Sequence, residues 1–117
     1  MPKFVVNSLT ENYQFQRAYK RGVAYFGKYI VLYVYKNNRQ NLNLGITVTK
    51  KVGKACVRNR VRRLIYENMR LLMPEFQLGF DIVVVARASA VGVDFFSIGA
   101  ELKRLVKKSN SLVAKEQ

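Results

Sequence analysis

The chain has 117 residues, half of them apolar, which is material for one modest core and a single domain. Its 21 Lys and Arg against 7 Asp and Glu give a net charge of +14, more than solubility needs, and point to a polyanionic partner, nucleic acid or an acidic membrane face. One Cys and no His exclude disulfide frameworks, Cys/His zinc sites, and nucleophile pairs or general bases that depend on histidine.

The N-terminal residues lack the apolar core of a signal peptide, and the longest apolar runs fall far short of the roughly 18 residues a spanning helix needs. A soluble, cytoplasmic chain is expected, and the single Cys56 suits a reducing compartment. Ser8 and Glu11 have capping-box spacing, and Phe15 and Tyr19 share a face at i, i+4. This predicts a helix over 9–20, stopped at Gly22. Residues 23–26 read as a further short strand. Residues 27–36 are β-branched and aromatic; their alternation predicts a strand with Ile30, Leu32 and Val34 toward the core and Tyr29, Val31, Tyr33 and Tyr35 on the other face. Asn37, Asn38, Arg39, Gln40 and Asn41 form a turn cluster. Leu42, Leu44, Ile46 and Val48 then alternate with Asn43, Gly45, Thr47 and Thr49, a second strand expected to pair with the first as a hairpin. After a loop around Gly53, residues 55–72 turn helical, with Val57, Val61, Leu64, Ile65, Asn68 and Leu72 on one stripe. Arg62, Arg63 and Arg70 lie on the far side, Arg58 and Arg60 flank the stripe, and Pro74 ends the helix. Residues 81–87 form a strand whose lack of alternation predicts cover on both faces. Asp94 caps a last helix over 95–108, with Ile98, Leu102 and Leu105 inward and Lys103, Arg104, Lys107 and Lys108 outward. The class is α+β, order αβββαβα, with a mostly antiparallel sheet and an ordered core of about 9–108.

Residues 50–63 hold Lys50, Lys51, Lys54, Arg58, Arg60, Arg62 and Arg63 and no acid. A solvated helix face normally mixes signs, because like charges at i, i+4 cost a few tenths of a kcal/mol each. The run therefore reads as a phosphate-binding ridge, with arginine's planar fork meeting phosphate oxygens at two points. The aromatic residues crowd the first 35 positions. Phe15, Tyr19 and Tyr33 have two readings: core residues packing a helix on a sheet, or a wall on which unpaired bases stack. The tyrosine hydroxyls want water or a partner, which suits a cleft wall. Cys56 reads as an inert small residue, and the scattered acids show no spacing for acid/base work or a metal cage.

The segment KKVGKACVRNRVRRLIYENMR, residues 50–70, strongly resembles the RNR segment of the protein subunit of bacterial ribonuclease P. Phe15-Gln16-Arg17-Ala18-Tyr19-Lys20-Arg21-Gly22 resembles that family's first helix. Leu44-Gly45-Ile46-Thr47-Val48-Thr49-Lys50-Lys51 resembles the strand before the motif, and Asp81-Ile82-Val83-Val84-Val85-Ala86-Arg87 the last strand. The resemblance implies an αβββαβα domain similar to one in a small-subunit ribosomal protein, with a left-handed βαβ crossover that base rates oppose. It implies partnership with a large catalytic RNA: together they remove the 5′ leader of precursor tRNA, the RNA performing phosphodiester hydrolysis with Mg²⁺ bound mainly by the RNA, while the protein contacts leader and RNA, raises substrate affinity and supports metal binding. Phe15, Tyr19 and Tyr33 match the family's leader cleft. Lys50, Lys51, Arg58, Asn59, Arg60, Arg62 and Arg63 match its basic pair and RNR helix, and Lys54 falls inside the same segment. The chain departs from the family at Tyr66, where many relatives are basic, and at Phe4-Val5-Val6-Asn7-Ser8, which lacks a basic cluster.

Three readings follow. The first is an enzyme subunit with no catalytic groups of its own, joined to RNA and to neither membrane nor DNA. The second is a structural RNA binder of ribosomal type. The third, a DNA-binding module, lacks the helix-turn-helix pair it would use.

Overall fold

The computed structural model describes residues 6–39, 41–76 and 78–116. Five strands form one sheet in the order β1-β4-β5-β3-β2. They are β1 (Val6–Ser8), β2 (Val23–Phe26), β3 (Ile30–Lys36), β4 (Leu42–Thr47) and β5 (Phe80–Ala86). Three helices, α1 (Asn12–Arg21), α2 (Ala55–Leu72) and α3 (Phe95–Glu116), complete the fold. After β1 the order is αβββαβα, as expected. Positions 4 and 5 of the N-terminal departure, and Gln40 of the turn cluster, lie outside the described residues.

The expected hairpin is not present. β3 pairs antiparallel with β2 and β5, whereas β4 pairs parallel with β5 and β1. The sheet is therefore mixed rather than mostly antiparallel. The reason lies in the asparagine-rich turn. The N–H of Asn37 donates to the carbonyl of Gly79 at 2.8 Å, and the N–H of Gly79 donates to that of Asn41 at 2.7 Å. The turn thus straddles the entry to β5 and leaves a slot between β3 and β4. β5 fills it because both its faces are apolar: Ile82, Val83 and Val84 are fully buried. The parallel pair β4 and β5 is joined through α2, a βαβ unit.

The two sheet faces have different covers. Ile30, Leu32, Leu42, Ile82 and Val84 form the main core with Ile65 and Met69 of α2 and Ile98, Leu102 and Leu105 of α3. Asn68, on the inward stripe of α2, donates to the carbonyls of Leu64 and Phe95 at 2.9 and 3.1 Å and so satisfies its buried amide. The opposite face is covered by α1, where Leu9, Ala18 and Val83 form a smaller core flanked by Phe15, Tyr19, Tyr33, Tyr35 and Val85.

α1 starts later than 9–20, at Asn12. The reaching side chain is Gln14, whose Oε1 accepts the N–H groups of Thr10 and Glu11; the Ser8–Glu11 box does not form, because residues 6–8 pair with β4 as a strand. Gly22 caps the C-terminus as expected. α3 runs past residue 108 to Glu116, with Asp94 accepting the Ser97 N–H at 2.9 Å.

Candidate nucleic-acid interface

Register sets out the face beneath α1 in rows. Tyr33, Val83 and Gly45 form one row; Tyr35, Asp81 and Asn43 form the next on one side, and Val31, Val85 and Thr47 on the other. Phe15 lies against Gly45, where a Cβ would meet its ring at 2.5 Å, so only glycine admits it there. Tyr19 and Tyr33 meet edge to face with centroids 5.0 Å apart, and the Tyr19 hydroxyl is 2.7 Å from Thr47 Oγ1. Phe15, Tyr19 and Tyr33 are all half-buried. Each therefore packs on the sheet and keeps part of its surface in water.

α1 is fixed by a buried polar network that sequence reasoning missed. Asp81 is fully buried and accepts from Arg17 at 2.9 Å, Asn37 at 2.8 Å and Asn43 at 2.7 Å. The Arg17 guanidinium also sits 4.7 Å from the Tyr35 ring centroid and 5.7 Å from that of Tyr13. A carboxylate heading a strand buried on both faces must find donors inside the protein; that signal was present in the sequence. Glu101 is similar: buried on the inward stripe of α3, it accepts the N–H groups of Lys28, Tyr29 and Ile30 at 2.6 to 3.0 Å and pins the turn into β3.

α2 occupies the expected residues and buries the expected stripe at Val61, Ile65, Asn68 and Leu72. Arg60 and Arg63 are exposed, as are Lys50, Lys51 and Lys54 on the turn before the helix. Arg58 is half-buried, and its Nε has no hydrogen-bond partner among the described residues. Arg62 and Arg63, expected with Arg70 on the far side of the helix, instead line a cavity beside β4, and Arg62 is half-buried. Asn59, Arg62, Arg63 and Tyr66 form a second stripe facing β4, and Arg62 donates to Asn59 Oδ1 at 3.0 Å.

That stripe meets Ser8, Leu9, Phe15, Leu44, Gly45 and Ile46 around an open cavity of about 440 Å³. Phe15 of the aromatic set thus shares one site with Asn59, Arg62 and Arg63 of the arginine-rich helix. Tyr19 and Tyr33 lie farther across the sheet. Lys51 lines another cavity, with Thr49, Val52, Arg87 and Ser89 among its neighbours. Among the described residues no three His, Cys, Asp or Glu cluster as metal ligands, and Asp81 and Glu101 spend their oxygens on internal donors, so these side chains do not fit a protein-held Mg²⁺. No helix among the described residues is long and apolar enough to cross a membrane.

A family model described as Ribonuclease P matches residues 5–110. The ribonuclease P protein component of Clostridium botulinum is 46% identical over 105 residues, covering 88% of this chain and 94% of that one. That of Clostridium perfringens is 43% identical over 110 residues, covering 87% of each. The solved RNase P protein of Staphylococcus aureus superposes with a TM-score of 0.78 at 33% identity, covering 87% of this chain and 94% of that one. The Thermotoga maritima RNase P protein gives 0.77 at 32% identity, covering 87% and 96%. With its fold, arginine-rich helix and near-complete coverage in agreement, the chain belongs to the ribonuclease P protein family.

Proposed function

We propose that this chain binds the catalytic RNA of ribonuclease P and the 5′ leader of precursor tRNA, and so promotes removal of the leader. Family membership makes it part of an endoribonuclease complex with an RNA partner. The finer division of labour is our reading: RNA performs the hydrolysis with its own Mg²⁺, and the protein supplies binding surface. The observation that carries it is the adjacency of the half-buried aromatic face of α1 and β3 to a cationic helix with no acid until Glu67. In this reading Lys50, Lys51, Lys54, Arg58, Asn59, Arg60, Arg62 and Arg63 meet phosphates of the catalytic RNA and cleavage region. Phe15, Tyr19 and Tyr33 stack leader bases, each worth about 1–3 kcal/mol.

The discriminating experiment is affinity of the reconstituted complex for precursor and mature tRNA. Tyr33→Ala is expected to weaken binding of leader-bearing substrate about tenfold and leave mature tRNA nearly unchanged. Equal losses for both would assign Tyr33 to the core and remove the leader cleft from the account.

A further inference from the structure

Two stripes, one on α2 and one on α3, border a groove on a side of α2 away from Asn59, Arg62, Arg63 and Tyr66. On α3, Phe96, Ala100, Lys103 and Lys107 recur at i, i+4, i+7 and i+11, and all four are exposed. On α2, Leu64, Glu67 and Leu71 recur at i, i+3 and i+7. This is the spacing with which a helix offers a seam to another helix. Leu71, Phe96, Ala100 and Lys103 line the groove, with Asn68 and Gly99 at its base, around an open space of about 290 Å³. Gly99 lets the two helices close there, because a Cβ would meet Asn68 Oδ1 at 2.5 Å. Above the base Phe96 is 79% exposed and Leu71 65%, one large apolar side chain on each wall. Single exposed apolar residues are ordinary; two that border one groove mark an interaction surface.

The rims carry opposite signs. On the α3 side, Lys103 and Lys107 have no carboxylate partner among the described residues, and Glu101 is turned inward to the backbone before β3. On the α2 side, Glu67 lies one turn before Leu71 and pairs with Arg70 at 3.3 Å, and the exposed Glu75 follows. This pattern discriminates among occupants. A nucleotide base needs polar partners, and the one amide of the groove is spent: Asn68 Nδ2 donates to the carbonyls of Leu64 and Phe95, and its Oδ1 abuts Gly99. An anionic bilayer would press its headgroups on Glu67 and Glu75. A second copy of the chain brings another +14 of charge. An acidic amphipathic helix meets every wall, its apolar side chains between Leu71 and Phe96 and its carboxylates over Lys103 and Lys107.

We propose that the α2–α3 groove docks an acidic amphipathic helix of a partner protein, which packs as the third helix of a short bundle. Phe96 to Lys107 gives it a track of about three turns. Because the groove and the Asn59–Tyr66 stripe lie on different sides of α2, RNA and the partner are held at the same time, and the site brings a second protein to the ribonucleoprotein.

The test uses the full chain and a synthetic helix-forming peptide with leucines at i, i+4, i+7 and i+11 and glutamates flanking them. A scrambled peptide of the same composition controls for attraction to a cationic protein. The seam peptide is expected to bind about tenfold more tightly than the scrambled one and to shift the NMR amides of Leu71, Gly99 and Ala100. Phe96→Ala, at an exposed position, is expected to remove that tenfold and leave stimulation of precursor tRNA cleavage unchanged. Lys103→Glu combined with Lys107→Glu is expected to weaken the glutamate peptide and to favour one carrying lysines in place of its glutamates. Equal binding of seam and scrambled peptides, or shifts confined to residues 58–63, would overturn the groove. In cells, a photo-reactive phenylalanine analogue at position 96 is expected to cross-link to a protein within an acidic amphipathic helix. Adducts with RNA, lipid or a second copy of the chain alone, or no adduct, would overturn the proposal, as would loss of tRNA processing in Phe96→Ala.

Discussion

Asp81 shows how one side chain positions a surface it never reaches. Its carboxylate lies under α1 with three donors converging on it, and Arg17 carries the link from sheet to helix. Removing one partner of a buried charge pair leaves the others uncompensated, a loss of about 3–5 kcal/mol. Asp81→Ala is therefore expected to lower unfolding free energy by about 3 kcal/mol in a denaturant titration; a loss below about 0.5 kcal/mol would show the network to be dispensable. The sequence made Asp81 and Glu101 legible in principle: one heads an all-apolar strand, the other sits between Ile98, Leu102 and Leu105 on an inward stripe. Both read as scattered acids because their donors come from distant positions: Arg17 is 64 residues from Asp81, and Lys28 is 73 from Glu101. Phe15 and Tyr33 stood out in the sequence as candidate cleft residues; that Gly45 seats the Phe15 ring depends on a register that only the folded sheet supplies.

At the level of elements, α2 was readable to the residue, because an apolar stripe at helical spacing, a glycine before it and a proline after it all agree. The second stripe at Asn59, Arg62, Arg63 and Tyr66 has the same spacing but mixed chemistry, and hydrophobic periodicity does not register it. The hairpin failed for a different reason. Two alternating strands and a five-residue turn satisfy local rules, whereas the intervening β5 enters from 39 residues beyond Asn41, a long-range pairing that alternation cannot report. Two predictions belong here. Arg60→Ala on the exposed side of α2 is expected to weaken RNA binding and reduce the slope of log affinity against log salt by about 0.7–0.9. An unchanged slope would take Arg60 out of the interface. At the start of α3, hydrogen bonds from the Ser97 side chain and backbone hold the Asp94 carboxyl below its ordinary pKa. A depressed folded pKa gives stability that is present above the unfolded value and lost as pH falls through the folded one. Wild type is accordingly expected to exceed Asp94→Ala in thermal stability at neutral pH, with the gap closing in acid below the usual carboxylate range. A gap independent of pH would show that Asp94 acts there without its charge.

Across the whole molecule, a net charge of +14 is tolerated because the cations stand on surfaces rather than in the core, on the turn before α2, along α2 and along the outer side of α3. Among the described residues the buried charges are the acids Asp81 and Glu101, both satisfied by internal donors. The excess positive charge is thus left facing outward for a polyanion. One sheet organises this division: its core face holds α2 and α3, its other face holds α1 and the aromatics, and the bare edge of β4 joins the two at a single cavity. The central claim is that the polypeptide binds and the RNA cuts. Cleavage of precursor tRNA at low Mg²⁺ by this chain alone, by catalytic RNA alone and by both together measures it directly. No cleavage is expected from the chain, slow cleavage from the RNA and strong stimulation when they are mixed; full-speed processing by RNA-free protein would contradict this division of roles.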